Sequence, residues 1–165
     1  MNMNDMVIIS VDDHISEGPD IFVKHLSGEA LATAPTMKFD DNGKCYWSYQ
    51  GLSMPSVGLN AVVGRPLEEY GMEPSSLEEM REGVYKVDKR IDDMNANGVA
   101  ASLNFGSVMG FDGGKFHNAP DKKLALTHMR AYNDWHVDEW CGAHPGRFIP
   151  CGILPTWDMD ASIQE

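Results

Sequence analysis

Three short apolar runs, set apart by helical stretches, constrain this chain more than any other feature. They are Val7-Ile8-Ile9-Ser10-Val11, Val99-Ala100-Ala101-Ser102-Leu103-Asn104-Phe105 and Phe148-Ile149-Pro150-Cys151-Gly152-Ile153-Leu154. The first is rich in β-branched residues, and each has the length of a strand buried on both faces. Between the first two, Asp88 to Asn97 predicts a helix, apolar at Ile91 and Met94 and stopped by Gly98. Between the last two, Asp121 to Ala143 predicts the longest helix, with Leu124, His128, Ala131 and Trp135 on one stripe. Asp158 caps a further helix that runs to Glu165. Such alternation gives a parallel sheet with right-handed crossovers. A doubly wound sheet and a (β/α)8 barrel both open this way. The loop after the first run, Asp12-Asp13-His14-Ile15-Ser16, has no GxGxxG and so speaks against a dinucleotide fold.

A long excursion follows the first run. Pro19 to Leu26 can form a short helix with proline in its first turn. Thr36 to Gln50 predicts a hairpin outside the parallel sheet, with arms Lys38-Phe39-Asp40 and Cys45-Tyr46-Trp47-Ser48-Tyr49. Its turn is Asp41-Asn42-Gly43, since Asn-Gly tolerates positive φ at both central positions. Gly51 to Pro74 reads as a long loop, and Ser75 with Glu78 as a capping box that starts a helix. Gly106 to Pro120 is a glycine-rich loop. No repeat, low-complexity tract or linker interrupts residues 1–165, which read as one unit.

Composition narrows the function classes. Hydrophobic residues make up 42% and charged residues 23%, enough apolar mass for a real core. A net charge of -12 argues against nucleic acid and anionic membrane surfaces, which need a Lys/Arg patch. The remaining partner class is a small-molecule substrate, with a homo-oligomer left open. No stretch approaches the roughly 20 apolar residues of a membrane span. The start, MNMNDMVIISVDDH, lacks the basic region of a signal peptide. Cys45, Cys141 and Cys151 are odd in number and widely spaced, as expected of reduced thiols in the cytoplasm.

The chemistry-bearing pair is Asp12 and His14, at the C-terminal end of the first strand. Strand period two puts both side chains on one face, and Asp13 on the other. A carboxylate oxygen and an imidazole nitrogen so placed can share a divalent metal at about 2.0–2.2 Å each. The plain alternative is a polar turn ahead of a helix; a position at the end of a buried strand leaves both readings open. Arg65, in the long excursion, could clamp a substrate carboxylate. Asn104 and Phe105 at the end of the second strand, and Trp157 after the third, are rim positions and therefore candidate substrate contacts. His25, His117, His128, His136 and His144 are expected off the rim, the pair on the long helix facing its outer layer or solvent.

Ser10-Val11-Asp12-Asp13-His14 followed by Pro19-Asp20 resembles the opening of the amidohydrolase superfamily, in its amidohydrolase-related branch of hydrolases and decarboxylases. Gly58 to Pro66, Arg90 to Val99, Tyr132-Asn133-Asp134-Trp135, His144-Pro145-Gly146-Arg147-Phe148 and Leu154-Pro155 resemble later segments of that branch, in order. The resemblance implies the N-terminal part, about three βα units, of a (β/α)8 barrel with a hairpin excursion after strand one. It also implies one divalent metal, usually zinc and sometimes manganese. Asp12 and His14 match its acid-x-His ligand pair. The strand-five His, strand-six His and strand-eight Asp of that pattern have no counterpart before Glu165. The expectation is therefore a truncated metal-dependent enzyme, hydrolysing a small ester, lactone or amide or decarboxylating a carboxylated substrate, and inactive alone. The rival expectation is a non-catalytic half-barrel module completed by another chain.

Overall fold

In the computed structural model, residues 5–55, 58, 61–70, 76–110 and 113–165 are described. The first apolar run becomes β1 (Ile8–Ile15), the second β5 (Val99–Gly106) and the third β6 (Phe148–Ile149). They form one sheet in the order β1-β5-β6, parallel throughout. β6 is much shorter than its run predicts. Pro150 has no N–H to give a ladder, so pairing stops there.

The hairpin is a separate antiparallel sheet, as expected. β2 (Thr36–Phe39) pairs with β3 (Cys45–Tyr49). Its turn differs in mechanism from the expected one. Only Gly43 adopts positive φ, while Asp40 Oδ1 accepts from the backbone N–H groups of Asn42 and Lys44 at 2.8 and 2.9 Å. The carboxylate, not an Asn-Gly pair, organises this loop. A third strand, β4 (Leu52–Met54), extends the sheet where a loop was expected. Gln50 and Gly51 make this possible with φ of 44° and 83°, the two positive values that match a tight turn to strand twist. Trp47 and Tyr49 of β3 are buried.

Helices complete one layer. A short α1 (Gly28–Ala32) follows hydrogen-bonded turns over Asp20 to Leu26, where a helix was expected. Around the expected capping box, Leu77–Glu79 makes a single 3₁₀ turn and Ser75 lies outside the described residues. α2 (Val87–Ala96) matches expectation and ends before Gly98, whose φ is 69°. α3 (Gly114–Asn118) forms inside the expected glycine-rich loop. α4 (Lys122–Asp134) is capped by Asp121, whose side chain accepts from Leu124 N, and buries Ala125, His128, Met129, Ala131 and Tyr132. It continues as a π-helical stretch, Trp135–Cys141, instead of a uniform α-helix to Ala143. α5 (Met159–Gln164) is capped by Asp158. No helix among the described residues is long and apolar enough to cross a membrane. Cys45, Cys141 and Cys151 are free thiols.

Candidate functional site

At the end of β1 the side chains of Asp12 and His14 stand together. His14 Nε2 lies 3.5 Å from Asp12 Oδ1, with side chains 52% and 82% exposed. Two ligands of one tetrahedral ion, each about 2.1 Å from it, would stand about 3.4 Å apart. The donor set and spacing therefore fit a divalent ion. Among the described residues, no group of three or more His, Cys, Asp or Glu side chains could hold a metal. The pair supplies two ligands and leaves the remaining positions open.

β5 supplies the neighbour. His14 aligns with Phe105, and their rings lie 6.0 Å apart. Asp13 points the other way, as period two requires, and accepts a hydrogen bond from Ser102 Oγ.

The residues just beyond His14 are held tightly. Arg90 Nη2 of α2 donates to His14 O at 2.6 Å, Ser107 Oγ to Ile15 O at 2.7 Å, and Ser16 N to Val84 O at 3.0 Å. Glu17 is fully buried. Its carboxylate accepts from Tyr132 Oη at 2.7 Å, from Ser107 N at 3.2 Å and from Val108 N at 3.1 Å. Burial pushes its pKa above the usual carboxylate value of 4.5, against the pull of these donors. Gly106 makes the approach possible, because a Cβ there would sit 1.8 Å from Tyr132 Oη and 2.4 Å from Glu17 Oε1. Sequence reasoning missed Glu17. Its only local signal is an acidic residue between Ser16 and Gly18, and nothing in that tripeptide marks it as buried.

A cleft of about 1030 Å³ runs between β1, the stretch from Ala61 to Gly64, and α2. Asp13, His14, Val62, Val84, Arg90 and Met94 are among its lining residues. Arg90 Nε is buried there and has no hydrogen-bond partner among the described residues.

The other sequence candidates scatter. Arg65 is tied to the excursion itself, Nη2 donating to Glu79 O at 2.7 Å. Asn104 is buried on the face opposite Phe105, where its Oδ1 accepts from Trp140 Nε1 at 2.8 Å. Alternation along β5 turns its side chain toward the helix layer. Trp157 forms a cluster of its own, 4.8 Å from the His117 ring and 5.3 Å from Lys122 Nζ. His117, expected in a loop, lies on α3 with Nε2 2.7 Å from Thr156 Oγ1, so it accompanies Trp157. His128 and His136 are buried, not solvent-facing, and burial lowers both imidazole pKa values. His25 and His144 pair with Glu139 and Asp88, at 2.8 and 2.7 Å.

No family model matches this chain, and no curated protein matches it. A solved structure does: an amidohydrolase from Mycobacterium avium subsp. paratuberculosis K-10, with a TM-score of 0.68 and 17% sequence identity. The match covers 97% of this chain and 46% of that one, so this chain spans less than half of its length. The likeness is one of fold. This chain is a mixed α/β structure, with a parallel and an antiparallel sheet, arranged like part of an amidohydrolase.

Proposed function

We propose that this chain is the N-terminal portion of a metal-dependent enzyme of amidohydrolase type. The observation that carries the reading is the 3.5 Å approach of Asp12 Oδ1 to His14 Nε2 at the end of a parallel strand. These two residues would hold one divalent ion, zinc or manganese. Such an ion activates water for hydrolysis or binds a carboxylated substrate for non-oxidative decarboxylation. The substrate would be a small ester, lactone, amide or aromatic carboxylate.

This chain's own residues have narrower tasks. His14 offers Nε2 while Arg90 holds its carbonyl, which limits how far the strand end can swing. Phe105 stands beside the imidazole, the two rings 6.0 Å apart. Arg65, anchored at Glu79 O, would reach a substrate only after releasing that bond. Trp157 could contact a substrate extending toward the ends of β5 and β6.

The exposed apolar residues of β1 favour a second reading, a binding module completed by another chain. Ile8, Ile9 and Val11 are 50%, 49% and 66% exposed, a row suited to cover by further polypeptide.

The test is zinc and manganese titration by calorimetry, with assays on esters, lactones and aromatic carboxylates. A catalytic ion needs about three protein ligands. The expected outcome is weak binding that is lost in His14→Ala, and no turnover by the isolated chain. Metal binding unchanged in His14→Ala sinks the assignment. Tight binding with turnover that vanishes in His14→Ala would instead mean that a third ligand comes from a partner subunit.

A further inference from the structure

The pairing of β1 with β5 is irregular twice. One step from Ile8 to Ile9 matches two along β5, from Val99 to Ala101. A compensating extra residue in β1 falls beside the candidate metal pair, restoring the register of Ile8 with Val99. Ser10 aligns with Ser102, but Asp13 aligns with Asn104. Three steps along β1 thus match two along β5, which is a β-bulge at Val11 and Asp12. The consequence is a change of face. By plain alternation from Ser10, Asp12 and His14 would share the face of Ser10 and Ser102, where Ser102 is fully buried. The bulge reverses this. Asp13 and the buried Ile15 take the helix side, and Asp12 and His14 take the open side next to Phe105.

A hydrogen-bond chain ends at the bulge. Trp140 Nε1, in the π-helical stretch, donates to Asn104 Oδ1 at 2.8 Å. Asn104 Nδ2 donates to Ser102 Oγ at 2.8 Å, and Ser102 Oγ donates to Asp13 Oδ2 at 2.5 Å. Its direction is fixed by chemistry. An indole N–H can only donate, a carboxylate can only accept, and the amide and hydroxyl between them must orient to suit. Every donor points toward Asp13. Trp140, Asn104 and Ser102 are all buried, so releasing any link leaves a polar group without water.

We infer that Asp13 is a positioning residue: held by the Trp140–Asn104–Ser102 chain, it locks the β1 bulge that turns Asp12 and His14 to the open face. Asp13 occupies the only position between the bulge and the Ile15 anchor that faces the helix layer. A residue that released Ser102 would let the bulge migrate, and a slip of one residue exchanges the two faces. The functional half of this inference rests on the proposed metal reading. The register half does not.

The experiment uses the whole chain, isotope-labelled, in four variants: Asp13→Asn, Ser102→Ala, Trp140→Phe and Ser102→Thr. Cross-strand NOEs report the pairing of Asp13 with Asn104 and of His14 with Phe105. Calorimetric zinc titration reports the pair, and Ser102→Thr, which keeps the hydroxyl, serves as the conservative rescue. The expected result is loss of these NOEs and at least a tenfold fall in zinc affinity in Asp13→Asn and Ser102→Ala. Trp140→Phe, which removes only the outermost donor, should give a smaller loss, and Ser102→Thr should stay near the parent. Folded variants with parental NOEs overturn the inference, whatever their zinc affinity. Lost NOEs in a chain whose parent binds no zinc would leave the register lock standing and remove the metal reading. If Asp13→Asn or Ser102→Ala does not fold, Trp140→Phe decides: unchanged NOEs there overturn the inference.

Discussion

On the face of the β1-β5-β6 sheet that meets the π-helical stretch, Ser102 and Asn104 are buried and every polar side-chain group they carry is engaged. On the other face Ile9, which aligns with Ala101, is 49% exposed, Ile149 is 38% exposed, and Asp12 and His14 reach solvent. The two faces are made by the same three strands. One is closed by helices, and its buried Ser102 and Asn104 are each partnered, because an unpaired buried group costs about 1–3 kcal/mol. Among the described residues the other has no such cover, so a carboxylate and an imidazole can face solvent and take a ligand. Rigidity on the first face is what aims the second.

The largest test of this contrast is Glu17→Ala. It strands Tyr132 Oη, Ser107 N and Val108 N in a buried site. Hydrogen bonds to a charged group are each worth about 1.5–3 kcal/mol, so a loss of about 3 kcal/mol is expected in urea unfolding. A loss below about 1 kcal/mol would mean that water reaches this network.

A titration sharpens the same contrast. His128 and His136 are buried with lowered pKa, so the folded state resists their protonation. Their contribution to stability is present above the ordinary imidazole value of 6.5 and is lost as pH falls through the lower folded values. Glu17 has the opposite sign. Its folded pKa is raised above 4.5, so its contribution is full below that pH and declines as pH rises through the folded value. Urea unfolding at several pH values, on the parent, His128→Gln and Glu17→Gln, separates the two. Relative to the parent, His128→Gln should flatten the decline on the acid side of 6.5. Glu17→Gln should flatten the decline that begins above 4.5. No change of slope in either variant would show that these groups titrate as they do in the unfolded chain.

The smallest effect belongs to the open face. Ile9→Thr and Val11→Thr should each shift stability by no more than about 0.5 kcal/mol, as exposed sites do. Losses of about 2 kcal/mol would show that this face is covered in solution, by a second copy or by further chain.

Much of the architecture was legible before any coordinates. Of the period-3.6 stripe, His128, Ala131 and Trp135 are buried and Leu124 is half-buried, and Gly98 does end its helix. Such features rest on local propensity and on apolar periodicity, which the chain carries in itself. The misses have another origin. The run from Phe148 reads as a seven-residue strand, but ladder pairing needs a partner and an N–H, and Pro150 ends it. The long helix turns π-helical at Trp135, where Trp140 reaches Asn104 and His136 Nε2 lies 3.2 Å from Asn104 O. Nothing in its own residues announces that change.

The sequence by itself determined the order of the three parallel strands and of α2, α4 and α5, the separate hairpin and the i, i+2 spacing of Asp12 and His14. These follow from alternation, turn chemistry and strand period, all properties of neighbouring residues. Only the tertiary structure decided which face that pair would occupy. The bulge exists in the pairing of β1 with β5, and its parity is set by what Ser102, Asn104 and Trp140 offer to Asp13 across the sheet. The burial of Glu17 was decided in the same way, by the close approach that Gly106 permits to Tyr132. A residue's side of a sheet is a relation between strands, and no stretch of one strand contains it.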